Sequence, residues 1–208
     1  MEPGALRLPL QTPRLRLRAL VPDDAEAMAE YRSLPEVCRY VPFHPMTPDD
    51  VRDRITGAWS TGGWSSDGGV AILGVTLADD VVVGDVMLRL ASLDDGVGEL
   101  GYVMHPRLAG QGLGTEAAHG VLHLAFDQAG LRRMIARVDT ENVASWALLE
   151  RLGMRREAHL VENEWFKGRL TDEFDYAILR REWDDQHLNE PADERRREWC
   201  PRADVPAS

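Results

Sequence analysis

Three glycines at alternate positions, Gly110, Gly112 and Gly114, follow Arg107 and precede Thr115-Glu116-Ala117. The apolar run before them reads as a strand, and the pattern after them reads as a helix running to about Ala129. Glycine lets a main chain approach a phosphate, and a helix start presents unpaired, positively polarised N–H groups. The segment therefore reads as an anion site. A triphosphate loop would need a lysine followed by Ser or Thr after its last glycine, and none is present. A dinucleotide fold wants Gly-x-Gly-x-x-Gly in its first strand–helix unit, whereas this run is Gly-x-Gly-x-Gly and lies past mid-chain. Ser145 heads an apolar helical stripe (Leu148, Leu149, Leu152), and a hydroxyl there is either a chemical group or a first-turn serine bonded to its own helix. Asn142 stands where an N-cap would. His119 and His123 are four apart but lack the glutamate of a zinc-binding His-Glu-x-x-His helix. They read as structural, and no metal is expected.

These groups need elements to hold them. Arg14–Ala19 alternates basic and apolar, a strand whose arginines are expected on a solvated side. Pro22-Asp23-Asp24 starts a helix with Ala25, Met28 and Ala29 inward. Residues 33–48 read as an irregular loop with Tyr40 and Phe43, and a helix follows from Pro48 to Trp59. Val70–Leu77, Val81–Leu90 and Val97–Met104 form a meander turned at Asp79-Asp80 and Asp94-Asp95-Gly96. Met134–Val138 is a strand, and the helix from Asn142 ends at Gly153. Arg155–Trp165 and Glu173–Arg180 are two strands joined around Lys167-Gly168-Arg169. The order predicts an α+β, mixed three-layer domain over 1–183, with a mobile polar tail over 184–208.

At 208 residues the chain suits one domain with a sizeable core. A net charge of −11 argues against nucleic-acid binding, which wants a basic face, and leaves a cationic substrate open. No apolar run approaches a membrane span and no signal peptide is visible, so no membrane partner is expected. Two distant cysteines, Cys38 and Cys200, read as free thiols of a cytoplasmic protein.

Arg107-x-x-Gly110-x-Gly112 resembles the Gln/Arg-x-x-Gly-x-Gly/Ala signature of the GNAT superfamily of N-acetyltransferases. Five further segments resemble its ribosomal-protein N-acetyltransferase (RimJ/RimL-like) branch in order: Thr12-Pro13-Arg14-Leu15, Gly98–Pro106, Thr115-Glu116-Ala117, Asn142-x-x-Ser145 with Leu152-Gly153-Met154, and Asp172–Leu179 with Glu182-Trp183. The usual Phe is Met154 here. The resemblance covers roughly residues 10–183.

It implies a GNAT-like fold, a mixed sheet of about seven strands whose fourth and fifth members splay, with acetyl-CoA as co-substrate. Leu108, Ala109, Gly110, Gln111, Gly112, Leu113 and Gly114 would then hold the pyrophosphate, flanked by Arg107 and Thr115. Met104, His105 and Pro106 would lie beside the pantetheine, which Asn142 and Ser145 would also contact. An amide in the Val103–Met104 region would polarise the thioester carbonyl. Glu99 stands where the family often carries its catalytic base; the plain alternative is a solvated glutamate after a turn. Ser145 takes the place of the proton donor, since the position of the family's frequent tyrosine is Leu149. Tyr40, Trp59 and Trp64 fall in segments that line the acceptor pocket in relatives, and Glu162 and Glu164 could draw a cationic acceptor or face water. The implied activity is acetyl transfer to a primary amine, first a protein or peptide N-terminal α-amine. An amino acid, polyamine or aminoglycoside acceptor, or a non-catalytic acyl-CoA-binding domain, are the alternatives. The resemblance also allows a homodimer.

Overall fold

The computed structural model describes residues 4–59, 64 and 66–186. One sheet of eight strands runs through them in the order β1-β2-β3-β4-β5-β6-β8-β7. The strands are β1 (Leu10–Gln11), β2 (Arg16–Ala19), β3 (Val70–Thr76), β4 (Val82–Ser92), β5 (Val97–Met104), β6 (Arg133–Asp139), β7 (Arg155–Phe166) and β8 (Arg169–Leu179). All neighbours are antiparallel except β5 and β6, so the helix α4 (Leu113–His123) must cross over between them. The expected count of seven rises to eight because Leu10–Gln11 adds a short edge strand to β2.

The alternation of each strand decides which layer it feeds. Leu88 and Leu90 of β4 and Leu100 of β5 are buried with Val121 and Leu122 of α4 and with Leu148 and Leu149 of α5 (Val143–Arg151). One residue out of phase, Asp85 meets the opposite layer, built from α1 (Ala25–Arg32) and α3 (Pro48–Thr56) around Met28, Tyr31, Val51 and Ile55. A capping box starts α3: Thr47 Oγ1 accepts from the Asp50 amide at 3.2 Å, and the Asp50 carboxylate accepts from the Thr47 amide at 2.9 Å. Gly153, at φ 76°, ends the α5 turn as its type allows.

Four expectations need correction. The loop at 33–48 contains a short helix, α2 (Pro35–Cys38), started by Pro35. The long helix to Ala129 changes at His123 into a wider turn, Leu124–Gln128. Of the three arginines expected on the solvated side of the first strand, Arg18 is the exception: it forms a two-bonded pair with Asp24 at 2.8 Å and also reaches Asp80 at 3.0 Å. Finally, Asp184–Gln186 belongs to a helix, α6 (Arg180–Gln186), held by Trp183, whose ring packs 4.7 Å from His119 and 5.7 Å from Phe126. The remainder of the predicted tail, 187–208, lies outside the described residues. Among the described residues no helix is long and apolar enough to cross a membrane.

Candidate active site

The sheet is open at its centre. β5 and β6 pair through Val97–Arg133, Gly98–Met134 and Glu99–Ile135, and there the pairing stops, although β5 continues to Met104 and β6 to Asp139. These are the fourth and fifth of the strands expected from sequence, and they splay as expected. The His105 amide donates to Val83 O on β4 at 2.9 Å, and Gly96 O accepts from Arg132 on the other side. Alternation along β5 therefore turns the backbone groups of Leu100, Tyr102 and Met104 toward the gap. Of the expected Val103–Met104 pair, Met104 is the residue whose amide faces it.

The glycine loop closes one end of that gap. Gly110 and Gly112 have φ of 76° and 75°, a region costly for any residue with a Cβ. Nothing lies within 4 Å of where a Gly110 Cβ would stand, so that side is open to a ligand. Gly112 is the N-cap of α4, leaving the first amides of an 11-residue helix directed at the loop's mouth. Gly114 also serves helix packing. A Cβ there would sit 3.2 Å from Leu148, so its absence lets α4 and α5 draw together. Arg107 and Gln111 are exposed, whereas Leu113 is buried and pins the helix start. The His105 ring accepts from the Arg107 amide at 3.2 Å, and burial with the nearby Arg107 charge pushes its pKa down, favouring the neutral ring. Its role is to shape the start of the loop.

Across the gap stands the start of α5. Asn142 caps it by accepting from the Ser145 amide at 3.3 Å, so its carbonyl oxygen serves the helix and its NH2 group is what remains for a ligand. The Ser145 hydroxyl does not turn back on its own helix. It lies 2.7 Å from the Tyr102 hydroxyl, which is also 3.0 Å from Ser145 O. Sequence reading does not single out Tyr102; its even position in β5, in phase with Leu100 and Met104, is the signal that places it on the α5 side. Burial pushes the Tyr102 pKa up to about 12, so the phenol keeps its proton at neutral pH.

On the opposite face, at the last paired position before the splay, sits Glu99. It is 9% exposed and held by two guanidiniums: Arg89 at 2.7 Å from β4 and Arg137 at 3.1 Å from β6. The solvated-turn alternative is thereby removed, because the carboxylate is turned into the sheet. Beyond the splay this face is acidic: Asp175 pairs in register with Arg137, Glu173 with Asp139, and Glu164 with Thr171. Burial pushes the Glu173 carboxyl up despite Arg137. Glu162, at φ 49°, is drawn into a bulge where its amide donates to Asp172.

The aromatic candidates separate. The Tyr40 hydroxyl donates to Glu141 O at 3.4 Å, and Arg39 and Arg169 both pair with the Glu141 carboxylate, so this loop bridges to the start of α5. The Lys167 ammonium, in the β7–β8 turn, donates to the carbonyls of Phe43 and Cys38 and ties the far side of the same loop. Trp59 stacks 4.4 Å from the Arg32 guanidinium, with Phe43 at 4.3 Å. Trp64 is buried in the core that contains α4 and α5, where its large apolar ring leaves water. His119 packs on Trp183, and His123 Nδ1 is 3.0 Å from Asp127. Among the described residues no group of three or more His, Cys, Asp and Glu side chains is placed to hold a metal.

Comparison with known proteins gives a consistent result. Residues 14–155 match the family model described as "Acetyltransferase (GNAT) domain". The chain is 31% identical over 175 residues to p20 of Bacillus licheniformis, an N-acetyltransferase named as uncharacterized, covering 84% of this chain and 97% of that one. It is 26% identical over 174 residues to a Bacillus subtilis protein called "Putative ribosomal N-acetyltransferase YdaF", covering 82% and 93%. The crystal structure of an acetyltransferase (GNAT family) from Bacillus anthracis superposes with a TM-score of 0.74 at 28% identity, over 83% and 98% of the two chains.

Proposed function

Because this chain belongs to the GNAT acetyltransferase family and is an acyltransferase, we propose that it transfers acetyl from acetyl-CoA directly to the N-terminal α-amine of a protein or peptide. The observation that carries this reading is the β5–β6 splay ending at a left-handed glycine loop: a gap with backbone groups turned into it, closed by a helix start. The residues present fit the co-substrate, since Gly110 leaves open space and the amides of Gly110, Gly112, Leu113 and Gly114 can face a diphosphate, whereas those of Leu108 and Ala109 already donate to His105 O and Pro106 O. Acetyl-CoA supplies the activated acyl group as a thioester.

The chain's own residues then have separable roles. The Met104 amide polarises the acyl oxygen, as an oxyanion-type donor fixed by the strand. Ser145 offers its hydroxyl hydrogen toward the departing sulfur, while the Tyr102 hydroxyl, which donates to Ser145 O, lies against Ser145 Oγ and holds it in place. Glu99 takes the amine's proton, directly or through water, on the opposite face. The arriving ammonium loses one proton through Glu99 to solvent before attack and a second as the amide forms, and the departing thiolate takes up one, so the transfer is balanced. The acidic face of Glu164, Glu173 and Asp175 suits an acceptor that arrives as a cation, and the name of YdaF supports a ribosomal-protein acceptor.

Two results are expected here. Gly112→Ala must accept a φ of 75°, a strain of roughly 1–2 kcal/mol, and weakens coenzyme A binding about tenfold in calorimetry. Ser145→Ala lowers kcat by about 10- to 100-fold, and Tyr102→Phe by about tenfold, each with little change in KM for acetyl-CoA; stopped-flow thiol release checks both. The acceptor is tested by a thiol-release screen of peptides with free N-termini, polyamines, amino acids and aminoglycosides. A peptide with the highest kcat/KM is the expected outcome; a polyamine or aminoglycoside in that place overturns the acceptor assignment.

A further inference from the structure

Two short motifs about a hundred residues apart, Thr12-Pro13-Arg14 and Thr115-Glu116-Ala117, meet at one carboxylate. Glu116 Oε1 accepts from the Thr12 hydroxyl and, at 2.8 Å, from the Arg14 amide, and Glu116 Oε2 accepts from Arg14 Nε at 2.7 Å. Thr12 is itself fixed, since its hydroxyl oxygen accepts from the Leu15 amide at 2.9 Å. The guanidinium then reaches past Glu116, and Nη1 donates to Gln111 O at 2.9 Å, inside the glycine loop. In a trans peptide the carbonyl and the following N–H point in opposite directions. A bond that draws Gln111 O toward Arg14 therefore sends the Gly112 N–H to the other side. Glu116 lies in the first turn of α4, where an unpaired carboxylate would repel an incoming anion; the Arg14 charge offsets it.

We propose that Arg14, oriented by Glu116 and Thr12, is a positioning residue for the diphosphate-binding loop: it fixes the Gln111–Gly112 peptide so that the Gly112 amide faces the ligand. The proposal rests on the acetyl-CoA reading of the splay and extends it to residues outside the loop. It makes the N-terminal segment part of the binding device, although the segment touches the loop only from behind.

The test uses the full chain and two probes, coenzyme A for calorimetry and S-acetylpantetheine, which lacks the diphosphate, as the comparison acyl donor. In Arg14→Ala, the Kd for coenzyme A rises about tenfold. The ratio of kcat/KM for acetyl-CoA over S-acetylpantetheine falls by a similar factor. Glu116→Gln, which keeps the side-chain shape and loosens the guanidinium, moves both in the same direction by a smaller amount, and serves if Arg14→Ala fails to fold. A Kd within about twofold of wild type in both variants overturns the proposal. So does a fall in activity that leaves the donor ratio unmoved, because general damage to the fold would lower both donors alike. Wild-type protein that binds no coenzyme A overturns the underlying reading as well, and is distinguished from the first failure by that control.

Discussion

Asp85→Asn is expected to lower the folding free energy by about 3–5 kcal/mol, the largest loss of stability foreseen for a single substitution in this chain. Asp85 and Arg32 are both 4% exposed at their side chains, and they are joined by bonds of 2.6 and 3.1 Å. The same carboxylate accepts from the Tyr31 hydroxyl at 2.6 Å. Burial works against the guanidinium's charge, and Asp85 more than offsets it, so the Arg32 pKa rises and the group stays charged. Asparagine keeps the volume but removes the counter-charge, which leaves a buried cation under Phe43 and Trp59. Urea denaturation reads the effect as a lower midpoint at unchanged slope. The double variant Arg32→Met, Asp85→Leu recovers most of the loss, because a buried pair exchanged for apolar groups of similar size is often close to neutral. A cost below about 1 kcal/mol for Asp85→Asn, in the range of a solvent-screened pair, would contradict this account. The damage also reaches function, since Asp85 pairs in register with Val103, next to the Met104 amide that faces the gap.

For activity, the largest effect is expected from Glu99→Gln. General-base removal typically costs about 10²–10⁴-fold, and a loss of about a hundredfold in kcat/KM is expected. Stability changes little, because Arg89 and Arg137 are 39% and 46% exposed and find water when the carboxylate is gone. Turnover and stability separate the roles: a glutamate that merely anchors two arginines would move stability and leave turnover nearly unchanged. The arginines themselves bear on the result, since they occupy both oxygens and present positive charge where a cationic amine must approach. Retention of more than about a third of wild-type turnover in Glu99→Gln would remove Glu99 from the proton path.

Much of this arrangement is legible before folding. The capping box at Thr47, the glycines at positive φ, the alternation of β3, β4 and β5, and the left-handed stop at Gly153 are each set by the conformational preference of a few neighbouring residues. The order of elements is equally local, because strand and helix periods differ and turns carry their own residue types. Misplaced boundaries come from competing local signals: the Pro35 start inside a proline-rich loop, and the widened turn after His123, where the ladder shifts without any breaker residue.

The sequence by itself determined the splayed strand's glycine loop, the two helix starts that face it, and the family to which they belong, because those features are properties of short segments. Only the tertiary structure decided which charges and hydroxyls meet. Tyr102 finds Ser145 across 43 positions, Arg32 finds Asp85 across 53, and Arg14 finds Glu116 across 102. Trp64, an acceptor-side candidate by its segment, is buried in the core. The physical reason is that such pairings depend on strand register and on which face a residue presents, and a shift of one position would send the strand members of these pairs, Tyr102 and Asp85, to the other side of the sheet.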